Sequence, residues 1–177
     1  MANITDRSPM GLVDALCTRI EKAFSKSFWY PSEFDSEECL EPHVHAQYLP
    51  VSLTENPDRD KSKDYPIVQV ILVDGAISDF ANTAHGSAMK IQVYFGGYDN
   101  NPDNQGWRIP VAMMHAVLQD LLEDRLLGHY ELTTPLAWSA INSKEPPYYW
   151  AMMETNWIGG PPAAAILGGN NRSVLQM

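Results

Sequence analysis

The chain has 177 residues, 45% of them hydrophobic, enough for one domain with a real core and too few for two. It carries 22 acids against 12 bases, a net charge of −10, with no basic cluster anywhere. That balance excludes a protein that grips nucleic acid, which needs Lys and Arg to displace counterions from phosphates, and no apolar run approaches the length that spans a bilayer.

The N-terminal stretch "MANITDRSPMGLVDAL" lacks the basic region and apolar run of a signal peptide, so the expected location is the cytosol or an assembly that carries the chain. Ser8-Pro9 reads as a helix start, with Ser8 as N-cap and Pro9 at the first helical position. Leu12, Val13, Leu16, Ile20 and Phe24 recur at helical spacing and predict one buried stripe on a helix over 9–25. Cys17 falls in this pattern and reads as a small buried hydrophobe. The other cysteine is Cys39, and there is no CxxC pair. Without a secretory context a disulfide is not expected.

Residues 33–64 hold nine acids and three bases, more than half of the net charge. Within them "HVHAQYLPVSL" predicts a strand, and "TENPDRDKSKD" an exposed polar loop. Tyr65-Pro66 leads into "IVQVILV", a β-branched run that predicts a buried strand over 67–73, and Asp74-Gly75 then turns the chain. "AMKIQVYF" alternates, with Met89, Ile91, Val93 and Phe95 on one face and Lys90, Gln92 and Tyr94 on the other, predicting a strand over 88–95. A second helix is predicted over 110–127, opened by Pro110 and stopped by Gly128. Its inner stripe is Val111, Met114, Leu118, Leu121 and Leu122, with Leu118 and Leu121 in the core, while Gln119, Asp120, Glu123 and Asp124 face water.

"HYELTTPLAW" offers another strand, and "EPPYYWAMMETNWI" a last one over 148–158. In the latter Tyr149, Ala151, Met153, Thr155 and Trp157 alternate with Tyr148, Trp150, Met152, Glu154 and Asn156. Residues 159–177, "GGPPAAAILGGNNRSVLQM" from Gly159, form a C-terminal extension too rich in Gly and Pro to order itself. We read 1–158 as one domain of α+β class: two layers, a mixed or mostly antiparallel sheet, and two amphipathic helices packed on it.

Four patterns bear on chemistry. The loop "YDNNPDNQGWR" offers Asp99, Asn101 and Asp103 at the first, third and fifth positions of a calcium loop. Its sixth position is Asn104 and its twelfth Pro110, so the glycine and the bidentate Glu are both missing, and a plain turn is the better reading. His43 and His45 share a strand face but lack a third ligand; His85, His115 and His129 are scattered, and no HExxH pair exists. There is no GxSxG elbow, and neither cysteine stands where its pKa would fall. Tyr148, Tyr149, Trp150 and Trp157 could stack bases or sugars, but without basic neighbours they read as packing. No catalytic, cofactor-binding or metal-binding residue is assigned, and no enzymatic activity is expected.

Several stretches in order resemble the tail terminator, or tail completion, proteins of long-tailed bacteriophages: "KDYPIVQVILVDG", "KIQVYFGGYDNNPDNQGWRIPVAMMHAVLQDLL", "YELTTPLAW" and "EPPYYWAMMETNW". The similarity runs from Lys63 to Trp157; it departs at Ile109-Pro110, where the family has an acidic N-cap. The resemblance implies a structural virion protein without cofactor or catalysis. It implies a six-fold ring of this chain on the head-proximal end of the tail tube, ending tube polymerisation and docking to the head connector. The implied partners are further copies of the chain, the tail tube protein and the connector or stopper protein, with DNA passing through unheld. The implied location is the virion neck, after synthesis in the host cytoplasm. Another neck component, an adaptor or stopper, is the nearest alternative; a metal- or nucleotide-dependent enzyme is the alternative from another class. In this reading the extension lies across a neighbouring protein, anchored by Ile166, Leu167, Val174 and Leu175.

Overall fold

The computed structural model describes residues 8–25, 41–49, 64–79, 85–103, 105–141 and 146–159. Helix α1 spans Pro9–Ser25. Its start is fixed as the sequence predicts: the Ser8 hydroxyl oxygen accepts a bond from the Gly11 N–H at 3.1 Å, and the Ser8 carbonyl takes the Leu12 N–H. The whole expected stripe is buried, with Leu12, Leu16 and Ile20 almost fully enclosed.

Among the described residues six strands follow: β1 His43–Ala46, β2 Ile67–Asp79, β3 His85–Tyr98, β4 Leu126–Leu127, β5 Tyr130–Ile141 and β6 Tyr148–Gly159. A second helix, α2, spans Arg108–Glu123 between β3 and β4. The strands form one sheet in the order β1-β2-β3-β6-β5-β4. Among the described strands β1–β2 is parallel and every other pair is antiparallel. The fold is α+β, with both helices packed on one face of a mixed sheet.

That face comes from strict alternation. Across the three central strands Val93 stands between Val70 and Met153, Ile91 between Leu72 and Thr155, and Phe95 between Val68 and Ala151. All but Leu72 are buried, and they meet Met113, Val117 and Leu121 of α2 in one apolar core. α1 is tied in by Arg19, which donates to the Asp120 carboxylate at 2.6 Å, to the Asp120 carbonyl and to the Leu126 carbonyl. The Tyr130 hydroxyl donates to the Ser8 carbonyl at 3.0 Å.

Several expectations are corrected. Asp74-Gly75 is not a turn. β2 runs through it to Asp79, with a bulge between Leu72 and Asp74, because β3 is long enough to pair the whole length. Ile67, Val68 and Val70 at the start of β2 are deeply buried, while Val73 is exposed. α2 starts two residues earlier than Pro110 and ends four before 127, at Glu123. Gly128 sits at φ 63 in the turn between β4 and β5, so its left-handed backbone closes a hairpin and not a helix. The buried stripe of α2 is turned from the expected one: Ile109, Met113, Met114, Val117 and Leu121 lie inward, Val111 and Leu118 are partly buried, and Leu122 is exposed. Asp120 does not simply face water, since it holds Arg19. β1 is four residues long and ends where Gln47 takes a positive φ of 61. Most of the acid-rich segment, including "TENPDRDKSK", and the extension beyond Gly159 lie outside the described residues.

Candidate functional site

The loop after β3 is a closed turn. Asp99 is 7% exposed, and one of its carboxylate oxygens accepts the Asn101 N–H at 2.9 Å. Asp103 accepts the Gln105 N–H in the same way at 3.0 Å. The Asp99 N–H donates to the Pro147 carbonyl, which fastens the loop to the start of β6. The second Asp99 oxygen, Oδ2, is enclosed without a hydrogen-bond partner among the described residues. Tyr149 packs against Gly106 in this loop; burial raises its phenol above the ordinary value, and the carboxylates of Asp99 and Asp103 add to the effect. Asp99→Asn keeps an oxygen for the turn and replaces an unsatisfied buried carboxylate with a neutral amide. The thermal midpoint is expected to stay level or rise. A fall of about 2–4 °C, or ~1 kcal/mol in a domain of this size, would show that the carboxylate is used.

His43 and His45 lie on β1 beside a groove that Glu21, Lys22, Phe24 and Glu41 also line. Burial lowers the His45 pKa, and the neighbouring His43 lowers it further. Among the described residues no three His, Cys, Asp or Glu side chains lie close enough together to hold a metal ion. Cys17 is half-buried, and burial, followed by the charges of Asp14 and Glu21, pushes its thiol up to about 12. It stays protonated at neutral pH, which excludes a ready thiolate nucleophile. Cys39 lies outside the described residues.

The aromatic residues divide between the two faces of the sheet. Tyr149 and Trp157 are buried under the helices. Tyr148 and Trp150 lie on the opposite face, where Tyr65 sits 5.3 Å from Tyr148 and 6.0 Å from Trp150, and Tyr98 sits 5.3 Å from Tyr148. Burial raises the Tyr65 phenol to about 12, ahead of the effects of Tyr148 and Asp64. These rings meet one another tilted or edge-on and are used as packing. Beside them Glu154 accepts from Lys90 at 3.0 Å and from Gln92 at 3.2 Å, and Tyr94 donates to Gln92 at 3.0 Å. The bond from Lys90, then that from Gln92, holds the Glu154 carboxyl below its usual range. The network closes a polar patch across β3 and β6.

The sequence reading missed one surface. Residues 137–141 of β5 are exposed on both faces, and Trp138 (59%) and Ile141 (41%) project from them. The signal was available: residues 132–143 contain no charged residue.

No protein-family model matches the chain, and no curated protein sequence matches it significantly. No helix among the described residues is long and apolar enough to cross a membrane.

Proposed function

We propose that this chain is a structural protein of the neck of a long-tailed bacteriophage. It forms a ring that caps the head-proximal end of the tail tube, ends tube growth and docks to the head connector. The observation that carries the reading is the ordered set of stretches resembling tail terminators; one of them departs from the pattern, since Asp74-Gly75 lies inside β2 and not in a turn. Tyr65-Pro66 enters β2, Gly97-Tyr98 ends β3, and Gly106-Trp107-Arg108 enters α2. Leu121-Leu122 falls in the last turn of α2, Pro135-Leu136-Ala137-Trp138 lies in β5, and Trp157 lies near the end of β6.

The exposed chemistry supports a surface read by other proteins. Trp107, Trp138, Ile141 and Ile158 are all at least two-fifths exposed. The net charge of −10 suits a ring through which DNA slides without being held. The role is architectural and needs no cofactor. Imaging of the neck in assembled particles is expected to reveal a six-fold ring of this chain between tube and connector. A neck without such a ring would refute the reading; the chain seated between portal and ring would instead make it an adaptor or stopper.

A further inference from the structure

Strand edges expose unpaired backbone donors and acceptors, and proteins usually guard them with charge, Pro or a covering segment. The far half of β5 is an unguarded edge. Among the described residues β4 pairs only with Tyr130 and Glu131, and no strand flanks β5 beyond them. Pro135 lacks an N–H, and the ladder to β6 resumes at Ala137 after a bulge. The segment free to pair is therefore Ala137–Ile141, "AWSAI", with Trp138 and Ile141 exposed beside it.

A second open edge lies on the other flank. β1 covers β2 only from Ile67 to Val70. From Ile71 onward no strand flanks β2 on that side among the described residues; the Gln47 side chain bonds the Leu72 N–H and carbonyl, so the open stretch is Val73 to Ala76, all exposed, where the Gly75 N–H is held only by the neighbouring Asp74 carboxylate. The register places the two edges at opposite corners. Val70, Val93, Met153 and Trp138 stand in one row across the sheet, so β1 is level with the open part of β5. β4 is likewise level with the open part of β2.

The strand directions match as well. β2, β3, β6 and β5 alternate in direction, so β5 of one copy beside β2 of the next is an antiparallel pair. The copies must slide along the strands by about four residues, roughly 13 Å at 3.3 Å each, to bring the open segments level. A constant slide per copy is how tilted strands close into a ring. A contact between two different patches is also what a ring needs, whereas a β5–β5 contact closes a two-fold dimer and leaves β2 open.

We infer that the β5 edge Ala137–Ile141 takes the β2 edge Val73–Ala76 of a second copy as its antiparallel partner, and that repetition of this contact builds the ring. The second half of this inference rests on the neck reading; the edge contact does not.

The test uses the full-length chain with Cys17 and Cys39 replaced by Ser, alone and mixed with purified tail tubes. Ser139→Cys is combined in turn with Val73→Cys, Asp74→Cys and Ala76→Cys, and disulfide-linked species are separated without reductant. At least one pair is expected to give a ladder of multimers ending in a closed ring. Trp138→Lys with Ile141→Lys, two exposed positions, is expected to keep the parent thermal melt and to lose both ladder and ring. Absence of a ladder from all three pairs overturns the edge contact. So do rings formed by the double-Lys variant, Ser139→Cys linking to itself as a dimer, or protection from hydrogen exchange in the monomer of those amides of residues 137–141 that point away from β6. A ladder that never closes supports the edge contact and refutes the ring; closed rings without links do the reverse.

Discussion

Trp157→Ala is expected to destabilise the protein by about 3–5 kcal/mol, the range for emptying a large aromatic site in a core. Trp157 is fully enclosed, between Met89 of β3 and Leu132 of β5 in the register of the sheet. Its indole N–H donates to the Thr155 hydroxyl oxygen at 2.9 Å, and that hydroxyl donates to the Ile91 carbonyl at 3.1 Å. Alanine removes the ring and leaves the buried Thr155 oxygen without its donor. Trp157→Phe keeps most of the volume and loses only the donor, so about 1–2 kcal/mol is expected. Denaturant unfolding measures both. A loss below about 1 kcal/mol for the alanine variant would mean that this corner of the sheet is not packed as described.

Gly106→Ala is the second substitution with a large expected effect. A Cβ there falls 2.4 Å from the Asp99 Cβ and 2.4 Å from Cε2 of the Tyr149 ring. Neither neighbour is the free end of a flexible chain, so the backbone must give way. The Gly106 carbonyl accepts the Ile109 N–H, so the shift passes into the first turn of α2. A loss near ~3 kcal/mol is expected, the upper end for overpacking. A Gly106→Ala variant that melts with the parent would mean that the loop is open, which would also reopen the question of an ion at Asp99. The glycine of the Gly-Trp-Arg entry is thus explained by close approach, with no ligand required.

The elements whose patterns were unambiguous were legible in the sequence. α1 carries its stripe at single helical spacing with polar residues between, β3 alternates from Ala88 to Phe95, and β6 alternates from Tyr148 to Trp157. The errors arose where local signals competed with partners far along the chain. In "RIPVAMMHAVLQDLL" most positions are apolar, so two neighbouring stripes fit helical spacing equally well. The sheet below selects the one through Met113, Val117 and Leu121, and Arg19 turns Asp120 toward α1. Asp74-Gly75 has the composition of a turn, but twelve paired positions with β3 outweigh it. Gly128 has the composition of a helix stop, but the helix ends at Glu123 and the glycine closes the turn after β4. The site was less legible than the fold, because an edge that docks another strand is marked by missing charge and not by a motif.

The ties made by Arg19 and Tyr130 also set an order of events on the ribosome. α1 is made well before its partners: Asp120, Leu126 and Tyr130 follow 101, 107 and 122 positions after the residues they hold. At about 5–20 residues per second, the wait is on the order of 5–20 seconds. For that interval the stripe Leu12, Leu16, Ile20 and Phe24 has no α2 or β4 to lie against. The first helix of this protein is a nascent-chain liability of the kind that chaperones bind, and the C-terminal third of the sheet ends that exposure.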